Sequence, residues 1–253
     1  MSDPSISDLK AAHTPHAVRT RLETRPPESY LRDFIYGGVD GVITTFAVVS
    51  GVAGAGLGSG VIIILGSANL LADGFSMAVS NFLGTNAERE RIERARRIEA
   101  RHIDLYPEGE REEIRQIFEA KGFSGKSLEE VVTVVTSDRT LWIDTMIREE
   151  YGLRSEERSS WRAAAMTFAA FVFLGALPLL AFLPGLVTST VSARAYSSST
   201  VLTAVALFLV GTVKARFLSC AWYRSGVETL LVGGIAAGLA YLVGALLAEL
   251  SAA

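Results

Sequence analysis

Glu99 and His102, Glu110 and Glu113, and Met146 and Glu150 are three pairs spaced three or four residues apart, all within one long charged stretch from Glu88 to Tyr151. On helices that spacing puts both members of a pair on one face. Oxygen, nitrogen and sulfur donors on adjoining helical faces make a divalent metal site. Carboxylate and imidazole suit Fe²⁺, Mn²⁺ or Zn²⁺, and the thioether softens the choice. A solvated charged face accounts for the same carboxylates, because Glu90 with Arg94 and Glu93 with Arg97 also stand at i,i+4. Met146 reads equally as a core methionine.

The rest of the chain is the platform for that stretch. Of 253 residues 49% are hydrophobic, too apolar for an ordinary soluble domain, and the formal net charge of -3 hides a segregation of nearly all charge into residues 1–33 and 86–162. Membrane-length apolar runs at about Phe34–Leu57, Val61–Leu83, Ala163–Leu183, Thr200–Val213 and Val227–Glu249 predict five transmembrane helices, the fourth short enough to need the stems of Lys214 and Arg216 to reach the interface. The expected fold is therefore an all-α membrane protein with a cytosolic helical insert between spans two and three. Residues 1–29 form a tail without regular structure, 30–85 hold the first two spans, 86–160 the insert and 161–253 the last three.

Polar residues inside the spans mark where function sits. Asp40 lies in span one among Gly37, Gly38 and Gly41, which let another backbone come close. In span two Asn69, Asp73, Ser76, Met77 and Asn81 recur every three or four residues and draw a polar stripe. An ionised carboxylate facing lipid costs at least ~2.5–3.5 kcal/mol on insertion scales, so Asp40 and Asp73 must face protein, water or an ion. Hydrogen bonding to neighbouring helices satisfies that requirement as well as an ion path does.

Within the insert four helices are expected, at about Thr85–Leu105, Glu110–Lys121, a third capped by Ser127 with Glu130, and Arg139–Tyr151, with a turn at Tyr106–Gly109. Arg19, Arg21, Arg25 and Arg32, the Arg-rich insert, and Lys214, Arg216 and Arg224 all fall on one side of the five spans. By the positive-inside rule the N-terminus and insert are cytosolic and the C-terminus is external or lumenal. Either a plasma membrane or a vacuolar membrane fits this orientation.

Several classes are excluded. The arginines from Arg89 to Arg101 are matched by Glu88, Glu90, Glu93 and Glu99, so no basic surface for nucleic acid emerges. The three histidines, His13, His16 and His102, leave no Ser/His or Cys/His constellation for an enzyme. His13 and His16 lie in the tail and read as solvated, and lone Cys220 reads as a buried, inert thiol. No apolar region precedes residue 30 that would serve as a cleavable signal.

Taken together these residues resemble the vacuolar iron transporter family. Asp40-Gly41-Val42-Ile43-Thr44-Thr45-Phe46 is similar to that family's first-span motif and Leu71-Ala72-Asp73-Gly74-Phe75-Ser76-Met77 to its second. Tyr106–Gly122, Met146–Glu150 and Val213–Arg216 also look familial, and the likeness runs from Tyr30 to Leu250. The resemblance implies a homodimer in the lipid bilayer that exports Fe²⁺ and related ions such as Mn²⁺ from the cytosol, coupled to inward movement of protons. The ions are cargo, and no resident cofactor is implied. Carried over, the path aspartate and methionine fall on Asp40 and Met77; apart from the resemblance, Asp73 in span two is a weaker candidate for a structural or proton-carrying acid. The cytosolic metal ligands fall on Glu99, Glu110, Glu113, Met146 and Glu150, and a further glutamate position is His102 here.

That histidine binds the same borderline ions when neutral, which makes occupancy pH-dependent near an ordinary imidazole pKa of about 6.5. Asn81 stands where many relatives carry a glutamate, which puts proton coupling in question. A membrane-anchored protein that senses iron and moves nothing fits the same residues.

Overall fold

The computed structural model describes residues 5–23, 29–153, 158–184, 193–215 and 220–252, and every regular element among them is a helix. Two short helices, α1 (Ile6–Ala12) and α2 (Pro15–Glu23), are followed by α3 (Leu31–Gly54) and α4 (Ser59–Leu105). Next come α5 (Pro107–Ala120), α6 (Gly125–Ser137) and α7 (Arg139–Glu149). The chain then forms α8 (Ser160–Gly175), the single turn α9 (Leu177–Leu180), α10 (Ala193–Lys214) and α11 (Trp222–Ala252). Among the described residues, α3, α4, Ser160–Leu180, α10 and α11 supply five segments long and apolar enough to cross a membrane.

α3 is the hub of the apolar bundle and is packed by α4, α8, α10 and α11. Its Val42, Phe46, Val49 and Val52 are buried, and Phe46 and Val49 share a core with Ile62 and Leu70 of α4 and Phe171 of α8. Close approach to α8 depends on Gly41, where an added β-carbon would run into the Phe171 backbone. The outer faces stay apolar: Ile64, Leu71 and Phe75 of α4 and Leu239, Leu242 and Leu246 of α11 are exposed. Surface of that extent is what a bilayer or a second chain covers.

The expected break between the second span and the insert is absent. α4 runs unbroken for 47 residues, about 70 Å at 1.5 Å per residue, so its first half belongs to the bundle and its second half to a polar helical unit. Within α4 no proline or glycine follows Gly84, and the charged residues beyond it support one another, with Asn86 bonded to Glu90 at 2.7 Å and Arg89 to Glu93 at 3.0 Å. The hydropathy change marks a change of surroundings and not a helix end.

Other local readings shift for similar reasons. Pro107, expected in a turn, opens α5, because the first helical position needs no N–H and suits proline's fixed φ. α6 begins after Ser124, and Ser127 donates back to the Ser124 carbonyl at 2.8 Å instead of capping with Glu130. α10 starts seven residues before Thr200, since Thr200 and Ser199 place their hydroxyls on the carbonyls of Tyr196 and Pro178 and leave the helix intact. The tail expected to lack structure forms α1, started by a Ser5–Asp8 capping box, and α2; α1 buries no residue. Cys220 is exposed, because it falls in the link before α11 and not inside an apolar helix. Arg25 and Arg216, counted towards orientation, lie outside the described residues.

The second half of α4 packs with α5, α6 and α7 around Ile92, Ile103, Ile114, Leu128, Val132, Trp142, Met146 and Ile147. Each fully buried aliphatic side chain there contributes ~1.5–3 kcal/mol relative to exposure. Polar ties fix the relative placement of the helices. Arg96 pairs with Asp144, and Arg139 reaches both the Ala100 carbonyl at 3.0 Å and Asp104 at 2.7 Å, locking α7 onto α4. Lys121 at the end of α5 pairs with Glu149 at 2.6 Å.

Candidate metal centre

Three of the expected ligands converge inside this helical unit. Glu99 and His102 come from one face of α4, and Glu110 from the first turn of α5, which the tight reversal at Tyr106 folds back alongside. One ligand atom from each of Glu99, His102 and Glu110 lies within 4.8 Å of the others. His102 Nδ1 is 3.3 Å from Glu110 Oε1 and 3.9 Å from Glu99 Oε1. The two carboxylates are almost sealed from solvent, Glu99 at 1% and Glu110 at 6% exposure, whereas the imidazole forms the open side.

Burying carboxylates without a partner is costly. Yet Glu99 Oε2 and Glu110 Oε2 are buried and make no hydrogen bond. Glu99 Oε1 accepts one, from the Tyr151 hydroxyl at 2.8 Å. Two carboxylates, each with an orphaned oxygen, clustered with an imidazole are the donor set that borderline divalent ions take.

The charges of neighbouring acids complete the site. Burial first, then the charges of Glu113, Glu99 and Glu150, push the Glu110 carboxyl up to about 7. Glu150 is likewise raised by burial and by Glu99 and Glu113, while His102 pulls the other way. Glu113 and Glu150 are themselves exposed and fall outside the three-residue cluster, near enough for their charges to act on it. Burial, the hydrogen bond to Glu99 and the charges of Glu99, Glu150 and Glu110 hold the Tyr151 phenol above its ordinary value, so it keeps its proton as a donor.

Glu150 and Tyr151 are delivered together by the end of α7. Glu150 is its C-cap, and Gly152 takes a φ of +64°, which turns the chain so that the Leu153 N–H closes on the Ile147 carbonyl at 3.0 Å. Met146 is fully buried in the apolar core of the unit. Tyr151 was not singled out by spacing; the signal was an aromatic hydroxyl directly after a candidate ligand at a helix end.

The span residues form a separate constellation. Asp40 and Asp73 are both exposed on the bundle surface, near enough for their charges to interact. Met77 is half-buried, packs against the bundle core, and lines a cavity of about 770 Å³ that extends past Asn81 and Thr85 to Glu88. At this level lies a network that sequence reading did not anticipate. Asn81 donates to Asp33 Oδ1 at 3.0 Å and to Thr167 Oγ1 at 2.7 Å, and Arg158 pairs with Asp33 Oδ2.

The chain is similar to known proteins over most of its length. A family model described as the VIT family matches residues 31–245. Vacuolar iron transporter 1 of Oryza sativa subsp. japonica is 30% identical over 239 residues, covering 94% of this chain and 92% of that protein. Vacuolar iron transporter 1 of Arabidopsis thaliana is 31% identical over 212 residues, 83% of each chain. The vacuolar iron transporter of Toxoplasma gondii is 29% identical over 257 residues, 96% of this chain and 85% of that protein.

Proposed function

The chain belongs to the vacuolar iron transporter family, and from that membership we propose that it is a multi-pass membrane transporter that moves Fe²⁺, with Mn²⁺ as further cargo, out of the cytosol in exchange for protons. The observation that carries the reading is the pair of buried, unpartnered carboxylate oxygens of Glu99 and Glu110 beside His102. A cluster of this kind, open to water on its His102 side, captures a divalent ion, with Glu113 and Glu150 drawing it in and Met146 as a soft donor from the core side.

From there the ion passes to Asp40 and Met77 in the spans, with Asp73 as a proton-carrying or structural acid. The five long apolar helices act as spans, with the N-terminus and helical unit cytosolic and the C-terminus external or lumenal. Exposed Asp40 and Asp73 support a homodimer, because a carboxylate turned to lipid costs at least ~2.5–3.5 kcal/mol and a second copy supplies a polar wall instead.

The test is metal accumulation in proteoliposomes with and without an imposed pH gradient, comparing Fe²⁺, Mn²⁺ and Zn²⁺. Accumulation that grows with the gradient supports exchange for protons. Binding without accumulation would make the chain a membrane-anchored metal sensor.

A further inference from the structure

The buried cluster raises a question of shape as well as charge, because a carboxylate offers a metal either one oxygen or two. Glu99 is held in a specific way. Its Oε1 accepts the Tyr151 hydroxyl at 2.8 Å, while its Oε2 is buried and unpartnered. The phenol is not a loose surface group: its ring packs against the apolar core of the helical unit, and its N–H reaches the Met146 carbonyl at 3.4 Å just before the Gly152 turn.

The geometry points to Tyr151 as a positioning residue that fixes Glu99 as a one-oxygen ligand and thereby biases the cluster towards small transition-metal ions and against Ca²⁺. This rests on the reading of Glu99, His102 and Glu110 as the cargo-capturing site.

Three physical features carry it. A hydrogen bond to Oε1 pins the plane of the carboxylate and leaves Oε2 as the free donor, so the ligand is oriented before the ion arrives. The donor is neutral, so it does not oppose a cation as a lysine or arginine would in the same place. Ca²⁺ takes six to eight oxygens at about 2.3–2.6 Å and uses carboxylates in two-oxygen fashion, whereas smaller transition ions accept single oxygens mixed with imidazole at shorter distance. The hydrogen bond takes one lone pair of Oε1 and fixes its direction, which weakens that oxygen as the second ligand Ca²⁺ would use. The penalty on a smaller ion is slight.

Tyr151→Phe keeps the ring in the core and removes only the hydroxyl. The experiment is calorimetric titration of the purified full-length protein in detergent with Mn²⁺ and, separately, Ca²⁺ at one fixed pH. Partners of this kind change metal affinity by about 10–100-fold when removed. The Mn²⁺-to-Ca²⁺ affinity ratio is therefore expected to fall by about tenfold in Tyr151→Phe, through weaker Mn²⁺ binding, stronger Ca²⁺ binding or both.

Ile114→Val, which loosens the same core without touching the cluster, is expected to leave the ratio unchanged. Tyr151→Leu should compress the ratio in the same way, so it decides the matter if the phenylalanine variant does not fold. An unchanged ratio with both affinities lowered in parallel would overturn the inference and leave Tyr151 a packing residue. A wild-type protein that binds no Mn²⁺ would instead remove the reading of the cluster itself.

Discussion

Asn81 Nδ2 lies 3.0 Å from Asp33 Oδ1, so a neutral amide on α4 completes a carboxylate on α3 that Arg158 grips from its other oxygen. The Asp33 side chain is 8% exposed and that of Arg158 23%. The same amide bonds Thr167 of α8, so one polar knot ties three helices in the wall of the cavity that Met77 also lines. Removing one member of a buried ion pair strands the other charge, which costs about 3–5 kcal/mol. Arg158→Gln is therefore expected to lower the thermal midpoint sharply in detergent, and Asp33→Asn/Arg158→Gln to lose less than the sum of the two single changes. Strict additivity across that cycle would show that the pair is not energetically coupled.

Metal affinity should depend on pH through Glu110. Its carboxyl is pushed up to about 7 from an ordinary 4.5, first by burial and then by Glu113, Glu99 and Glu150. Between those values the metal-free folded protein holds a proton that the unfolded chain has released. The contribution to stability is thus present below about pH 4.5 and lost as pH rises through about 7. Ion binding has the opposite slope, because below about 7 the ion must displace that proton. Affinity for Mn²⁺ is expected to rise by up to about tenfold per pH unit towards 7 and then to level off, with a shallower rise in Glu110→Gln. A titration series that is flat over this range would mean that Glu110 binds no ion.

Backbone contact between α3 and α8 sets the frame in which Asp40 sits. A β-carbon at Gly41 meets the Phe171 backbone, which cannot give way as a side-chain tip can, whereas at Gly60 nothing lies within 4 Å. Gly41→Ala should destabilise by about 1–3 kcal/mol through overpacking. Gly60→Ala should be neutral or slightly stabilising. Thermal unfolding of the two variants side by side checks the packing, and equal stabilities would contradict it.

Much of this architecture was legible before any coordinates. The long apolar helices follow from hydropathy, because burial in lipid or a bundle leaves continuous runs that need no long-range information. Glu99, His102 and Glu110 come together because i,i+3 spacing on α4 and a single reversal at Tyr106 suffice to face them. What the sequence hid were features decided by surroundings. The continuity of α4 was masked because the change from apolar to charged residues marks a change of surroundings, while helix propensity persists through Arg89 and Glu93. The Asn81–Asp33–Arg158 knot joins residues far apart in the chain, with no local period to announce it. Tyr151 is one hydroxyl whose role depends on where a buried carboxylate stands.

The most direct measurement for the account as a whole is Mn²⁺ uptake by proteoliposomes under an imposed pH gradient, comparing the wild type with Asp40→Ala. The expected result is gradient-driven uptake by the wild type and background uptake by Asp40→Ala at equal protein incorporation. Wild-type uptake by Asp40→Ala would contradict a path along the α3 and α4 face.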